Sequence, residues 1–121
     1  ESAAKLREEL RRRTDVKIGV IINDSLGRAF RTGTSGVAIG VAGVPALADL
    51  TGKKDLFGRE LQVSQVAVAD ELAAGASLVM GQASEGRPIV LVRGFVSDHP
   101  EGSAKELVRK QEEDLFRGVE Q

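Results

Sequence analysis

The chain has 121 residues, of which 41% are hydrophobic and 29% charged, enough for a single domain with a real core. Its formal net charge of −1 and 3% aromatic content supply neither the basic footprint nor the stacking platforms of a nucleic-acid-binding protein. With no Cys and one His, a disulfide framework and thiolate-held zinc or iron–sulfur centres are excluded.

The start, Glu1-Ser-Ala-Ala-Lys5, is not a signal peptide, and no run approaches the roughly 20 apolar residues of a membrane span. The expectation is therefore a cytoplasmic protein with neither nucleic-acid nor membrane partners; lacking an initiator Met, it reads as a piece of something longer. Ser2 is placed to cap a helix in which Ala3, Leu6 and Leu10 share a face, while Glu8/Arg12 and Glu9/Arg13 pair outside. Residues 17–22 form a continuous apolar run rich in β-branched side chains, which predicts a buried strand ending at Asn23-Asp24. Residues 32–43 are rich in Gly and small side chains around Val37-Ala-Ile39 and Val41, predicting a short strand closely approached by another backbone. Residues 45–58 read as a surface excursion and 60–64 as a weakly alternating strand. The Ala-rich residues 65–80 predict a mostly buried helix closed by Gly81, with Gly75 marking tight packing. Residues 87–92 predict a second buried strand, opened by Pro88 where the missing N–H matters least and ended by Arg93-Gly94. Ser103 can cap a further helix through Leu107, and an acidic and apolar tail around Glu112 to Phe116 is expected to cap the fold. This order predicts a mixed α/β (α+β) fold, a layered sheet with packed helices, as one domain over residues 1–121.

Two strings share the pattern D-x-x-G-R: Asp24-Ser-Leu-Gly-Arg28 and Asp55-Leu-Phe-Gly-Arg59. Each joins a carboxylate able to hold a hard cation to a guanidinium able to grip an anion, through a Gly that frees the backbone to turn. Asp24 is expected at the carboxyl end of a buried strand, where α/β architectures face a crevice, and Ser25 adds a hydroxyl and a carbonyl oxygen suited to Mg(II) or Mn(II). One carboxylate does not complete such a site, and a strand-end Asx turn is the alternative for Asp24. Arg28 and Arg31 are spaced to point to one side, as anion grips or as solvated surface charge. For Asp55 to Arg59 a loop-closing Asp with an Arg salt bridge stands against a direct catalytic role. The Gly-rich stretch has no Lys and no phosphate-loop string, so it is read as close packing. Gln82, just past the helix, offers an amide oxygen to a metal, a nucleotide or water. His99, in a polar turn, is expected to be exposed and cannot assemble a catalytic triad or a His metal cluster by itself.

Taken in order, Ile22-Asn-Asp-Ser-Leu-Gly-Arg28, Gly36-Val-Ala-Ile-Gly-Val-Ala-Gly43, Asp55-Leu-Phe-Gly-Arg-Glu-Leu61, Val68-Ala-Asp-Glu-Leu-Ala-Ala74, Leu78-Val-Met-Gly81 and Val90-Leu-Val-Arg-Gly94 resemble the coenzyme F-420-0:gamma-glutamyl ligase family. Family members are about twice as long, so the resemblance implies the C-terminal portion of a larger two-domain ligase fold, its N-terminal half absent. It implies GTP-dependent addition of L-glutamate to the coenzyme F-420 precursor F-420-0, giving a gamma-linked glutamyl tail, GDP and phosphate, in a homodimer that uses Mg(II) or Mn(II), with K(I) a further candidate. By resemblance Asp24, Ser25 and Gln82 are metal ligands, and Met80, Gly81 and Gln82 lie at the nucleotide, while Arg28 and Arg31 are candidate grips for phosphate or a substrate anion. No catalytic residue is assigned, and the isolated chain is expected to be inactive because the remaining carboxylate ligand and much of the GTP pocket lie in the missing half. Leu26 and Ala29-Phe30 depart from the aromatic residues and Pro-Trp of the family, which bears on substrate preference. The alternatives are a related ligase with a different acceptor and a non-catalytic module that binds nucleotide and metal and dimerises.

Overall fold

The computed structural model describes residues 1–114. Its elements are α1 (Ser2–Thr14), β1 (Val20–Arg28), β2 (Arg31–Ala42), β3 (Ala48–Asp49), β4 (Gln65–Val66) and α2 (Val68–Met80), followed by single 3-10 turns at Ala104–Leu107 and Gln111–Glu113. The fold is mixed α/β as expected, with two antiparallel pairs, β1 with β2 and β3 with β4.

β1 and β2 make one long hairpin, in register from Val20↔Ala42 to Arg28↔Arg31, with Ala29 and Phe30 at its tip and Phe30 at φ 61. Two expectations are corrected here. The first strand does not end at Asn23-Asp24 but continues to Arg28, and the second is 12 residues long instead of short. The reason is pairing: residues 31–42 offer a complete ladder opposite residues 20–28, so the backbone around Asp24 is satisfied in a strand although its side chains are exposed.

Strand alternation sends Ile21 and Val41 to one face of the hairpin and Val20 and Ala42 to the other. α2 covers the first with Ala69 and Ala73, and α1 covers the second with Ala3 and Leu10, giving three layers. Among the described residues the buried apolar side chains are seven alanines with Val20, Val41 and Pro45. Such small groups let the helices come close. At Gly36 an added Cβ would lie 2.0 Å from Ser77 Oγ and 2.6 Å from the Ala73 carbonyl oxygen, so the close backbone approach expected for this strand is present. Gly75, by contrast, has open space around it, which corrects the tight packing expected there.

α1 departs in detail from its prediction. Its N-cap is Glu1, so Ser2 lies inside the first turn without a capping bond. Glu9 gathers both Arg12 at 2.7 Å and Arg13 at 2.6 Å, which displaces the expected Glu8/Arg12 pair and, through Arg12 first and Arg13 second, holds the Glu9 carboxyl below its ordinary value. Arg7 ties the helix to the segment leading into the first strand by donating from Nε to the Ile18 carbonyl at 2.8 Å.

The surface excursion expected at residues 45–58 is only partly formed: Ala46 and Ala48 are buried, Ala46 against α2, and the exposed stretch begins beyond β3 at residues 51–60. The strand predicted at 60–64 is not formed: Glu60 makes a single bridge to Lys54, and the paired segment is Gln65–Val66. That pairing also delays the second helix to Val68; the helix closes at Gly81 as predicted but is not mostly buried, since only Ala69 and Ala73 are and Leu78 and Val79 lie exposed. The largest departure concerns residues 87–92, which form no strand; Ile89 is 88% and Leu91 64% exposed. A strand exists only where a neighbour completes its ladder, and none of the described residues does so here. At the end of the described chain, the Ser103 N–H donates to Glu106 Oε2 at 2.6 Å in a capping box, but the helix it opens is one 3-10 turn. The proposed tail cap falls partly outside the described residues, at Leu115 and Phe116.

Candidate functional site

The cleft that gathers most of the expected site lies where β1 passes the C-terminus of α2. It encloses about 150 Å³ between Asn23, Asp24 and Ser25 on the strand and Ser77, Met80, Gly81 and Gln82 on the helix end. Asn23 fastens the two walls together: its Nδ2 donates to the Ala73 carbonyl at 2.7 Å and to Ser77 Oγ at 3.2 Å, with Met80 Sδ at 3.7 Å. Its Oδ1 is buried without a partner among the described residues. The single-residue shift in register between Ile22 and Asn23 lies directly before this anchor.

Asp24 is exposed in the strand, away from any strand end, and its Oδ1 accepts the Ser25 N–H at 2.8 Å. That replaces both the strand-terminus placement and the strand-end Asx turn. Gln82 is likewise exposed, but its Oε1 already accepts a 2.6 Å hydrogen bond from Thr34 Oγ1 on β2. The amide oxygen has a second lone pair, so this bond orients the group without exhausting it. Glu85 closes the turn behind it: Oε2 accepts the Ala83 N–H at 2.9 Å, and that backbone bond is the main cause of a Glu85 carboxyl held below its ordinary value.

The donors lining the cleft are carboxylate, hydroxyl, carbonyl and amide oxygens, the set that Mg(II) and Mn(II) take. α2 adds to this, because its last turn carries no basic side chain and its C-terminal carbonyls present the negative end of the helix dipole. Asn23 Oδ1, a buried acceptor without a donor, agrees with a cleft that favours positive charge. The residues therefore fit a divalent cation as a partial ligand set: among the described residues no three His, Cys, Asp or Glu side chains cluster to complete one.

Arg28 and Arg31 are direct partners across the mouth of the hairpin and so share a face. They do not line the metal-type cleft. Arg28 instead lines a broader open groove of about 470 Å³, with Ser35, Val37, Asp70 and Glu71, and its Nη2 reaches the Thr32 carbonyl at 3.5 Å. Arg28 and the expected metal ligands thus belong to two recesses, and Arg31 lines neither. His99 is half-buried instead of exposed, with Nε2 3.9 Å from Asp98, and joins neither.

The second pentad folds as a turn. Asp55 Oδ1 accepts the N–H groups of Phe57 at 2.8 Å and Arg59 at 2.9 Å, and the Asp55 N–H donates to the Arg59 carbonyl at 2.9 Å. Asp55 therefore closes the loop as expected, but through backbone amides; among the described residues no salt bridge to Arg59 forms. Leu56 and Phe57 project from the tip, 100% and 85% exposed.

Asn23, Thr34, Ser77 and Glu85 were not among the candidates. Ser77 carries the clearest overlooked signal, a hydroxyl one turn before Gly81 in an otherwise apolar helix end. Thr34 could not be found by spacing, because the strand register alone brings it near Gln82.

An α/β layered domain with an oxygen-lined cleft between a strand and a helix end has the make-up of one part of a ligand-binding enzyme. The model of the F420-0:gamma-glutamyl ligase family matches residues 1–94. Over 117 residues the chain is 56% identical to the coenzyme F420:L-glutamate ligase of Methanococcus maripaludis strain C6 and 53% identical to that of Methanocaldococcus jannaschii, covering 97% of this chain and 47% of each relative. It is 50% identical over 116 residues to the coenzyme F420:L-glutamate ligase of Archaeoglobus fulgidus, covering 96% of this chain and 46% of that protein. The chain belongs to the F420-0:gamma-glutamyl ligase family. It spans about half the length of the curated relatives it matches.

Proposed function

We propose that the chain is the C-terminal, cation- and nucleotide-handling portion of a GTP-dependent ligase that adds L-glutamate to F-420-0 in coenzyme F-420 biosynthesis. The observation that carries this reading is the cleft, which unites Asp24 and Ser25 with Met80, Gly81 and Gln82 from the far end of α2 in a member of this ligase family. In the proposed enzyme the Asp24 carboxylate, a Ser25 oxygen and the Gln82 amide oxygen hold Mg(II) or Mn(II), and K(I) is a further cation of the site. Met80 and Gly81 lie beside the nucleotide. The bound cation supplies neutralisation of the phosphate charge. Thr34 holds Gln82 in orientation, and Asn23 keeps the strand and helix walls at a fixed separation. Arg28, in the neighbouring recess, and Arg31, its cross-strand partner, attract the anionic acceptor or phosphate.

The reaction is a sequence of two transfers. The acceptor carboxylate attacks the terminal phosphorus of GTP, the bridging P–O bond breaks, and GDP leaves. The glutamate amine then attacks the activated acyl carbon, an amide forms, phosphate departs and the amine proton is released. We place the enzyme in the cytoplasm as a homodimer. No helix among the described residues is long and apolar enough to cross a membrane.

The test incubates the full-length protein with GTP, Mn(II), L-glutamate and F-420-0 and follows the acceptor by mass spectrometry. Gain of glutamyl units with equivalent release of GDP is expected; an unchanged acceptor mass overturns the assignment. The single carboxylate in the cleft favours one further statement, that the 121-residue chain binds Mn(II) weakly and turns nothing over, as a nucleotide- and metal-binding, dimerising module would.

A further inference from the structure

Residues 87–96 are strand-like in composition and unpartnered in the fold. Ile89, Leu91, Val92 and Val96 are 88%, 64%, 49% and 90% exposed, and Phe95 is 40% exposed. None of the main-chain groups of residues 88–96 hydrogen-bonds to another described residue. Four consecutive apolar residues, mostly β-branched, between Pro88 and Gly94 (φ 84) are bounded as a strand is bounded. In water such a segment leaves both its apolar surface and its main-chain ladder unused.

We propose that residues 89–92 form an interior strand of the full-length protein, paired along the main chain and covered by the portion of the polypeptide that lies outside this chain. Three observations select that occupant. The family match includes the segment, ending at Gly94, so it belongs to the family's own architecture. The curated relatives carry about as much chain again as is present here, enough for a strand and a covering layer. The apolar run is continuous, so Ile89 and Leu91 occupy one face of the strand while Val90 and Val92 occupy the other. A second copy of the same segment across a two-fold would pair one edge and leave those faces bare. The remaining half of a family protein can supply pairing and cover together. The same need is visible in the core, where no Leu, Ile, Met or Phe among the described residues is fully buried while Leu78, Ile89 and Val96 lie in solvent.

This inference rests on family membership and is independent of the metal and nucleotide assignments. Its test is hydrogen exchange followed by mass spectrometry on the native full-length protein, with a synthetic peptide of residues 87–96 as the unstructured reference. Protection of the 89–92 amides on the order of 100-fold or more over the peptide is expected, unchanged across roughly a tenfold range of protein concentration. Exchange at the peptide's rate overturns the proposal. Protection that grows with concentration also overturns it, in favour of a second copy as the occupant. No substitution is needed, so a folding failure cannot imitate either result.

Discussion

Asp24 shows how much a single residue's role depends on what surrounds it. In a strand and exposed, it is held by no ion pair among the described residues and its Oδ1 meets only the neighbouring Ser25 amide, so the fold does not depend on its charge. Asp24→Ala in the full-length enzyme is therefore expected to leave thermal stability within about 0.5 kcal/mol of wild type. Mn(II)-dependent turnover should fall by about 100-fold or more, as for removal of a principal electrostatic contributor. Calorimetric Mn(II) titration beside the activity assay checks both, and unchanged binding would return Asp24 to a structural residue. Glu85 makes a second residue-scale prediction. The Ala83 N–H bond lowers its folded pKa below the ordinary 4.5. A lowered carboxyl contributes stability that is present above the unfolded value and disappears as pH falls through the folded one. The Ala83 N–H bond to Glu85 should thus persist while the carboxyl is ionised and weaken as acid protonates it, read by the carboxyl carbon shift of Glu85 and the Ala83 amide in NMR. Glu85→Gln should abolish that acid limb.

At the scale of elements, the hairpin and α2 define the cleft, and Gly36 sets how close they come. Gly36→Ala places a Cβ against the Ala73 carbonyl, a backbone group that cannot swing aside, so a loss of about 2 kcal/mol is expected from chemical denaturation. Because the same shift would separate Asp24 from Gln82, weaker Mn(II) binding should accompany it. The excursion that carries Asp55 is held differently, by short-range backbone bonds. Asp55→Ala removes two acceptor contacts and should free the Phe57 and Arg59 amides in hydrogen exchange, at a local loss of about 1 kcal/mol. Arg59→Gln should change stability by less than about 0.5 kcal/mol, since no ion pair is broken. The resemblance between the two D-x-x-G-R strings is therefore one of spelling: the first spans paired strand and the second a turn. Their difference lies in partners far away in sequence. Residues 20–28 meet residues 31–42, whereas residues 55–59 bond to themselves.

For the whole molecule, the deciding quantity is how little large apolar surface the chain buries alone. Leu56, Phe57, Leu78 and Ile89 are each at least 85% exposed, while the fully buried side chains among the described residues are small, mostly alanine. The 121-residue chain should consequently bind the dye ANS more strongly per mole, and melt at lower temperature, than the full-length protein; equal dye binding would mean that these side chains stay exposed in both. The family, the mixed α/β class and the two helices were legible in the sequence, because they rest on periodicity, on Gly81 at a helix end and on ordered motifs. The length of β1 and β2, the 3-10 character after Ser103 and the missing strand at 87–92 were not, because a strand exists by virtue of its neighbour. The site divides in the same way. The residue types that suit a cation, Asp24, Ser25 and Gln82, were readable as oxygen donors. Only the tertiary structure decided that they share a cleft, that Arg28 lies in another, and that Asn23 and Thr34 hold the walls and the Gln82 amide oxygen in place. Those relations are distances across the chain, set by strand register and by the close approach of α2 to Gly36, and no local spacing encodes them.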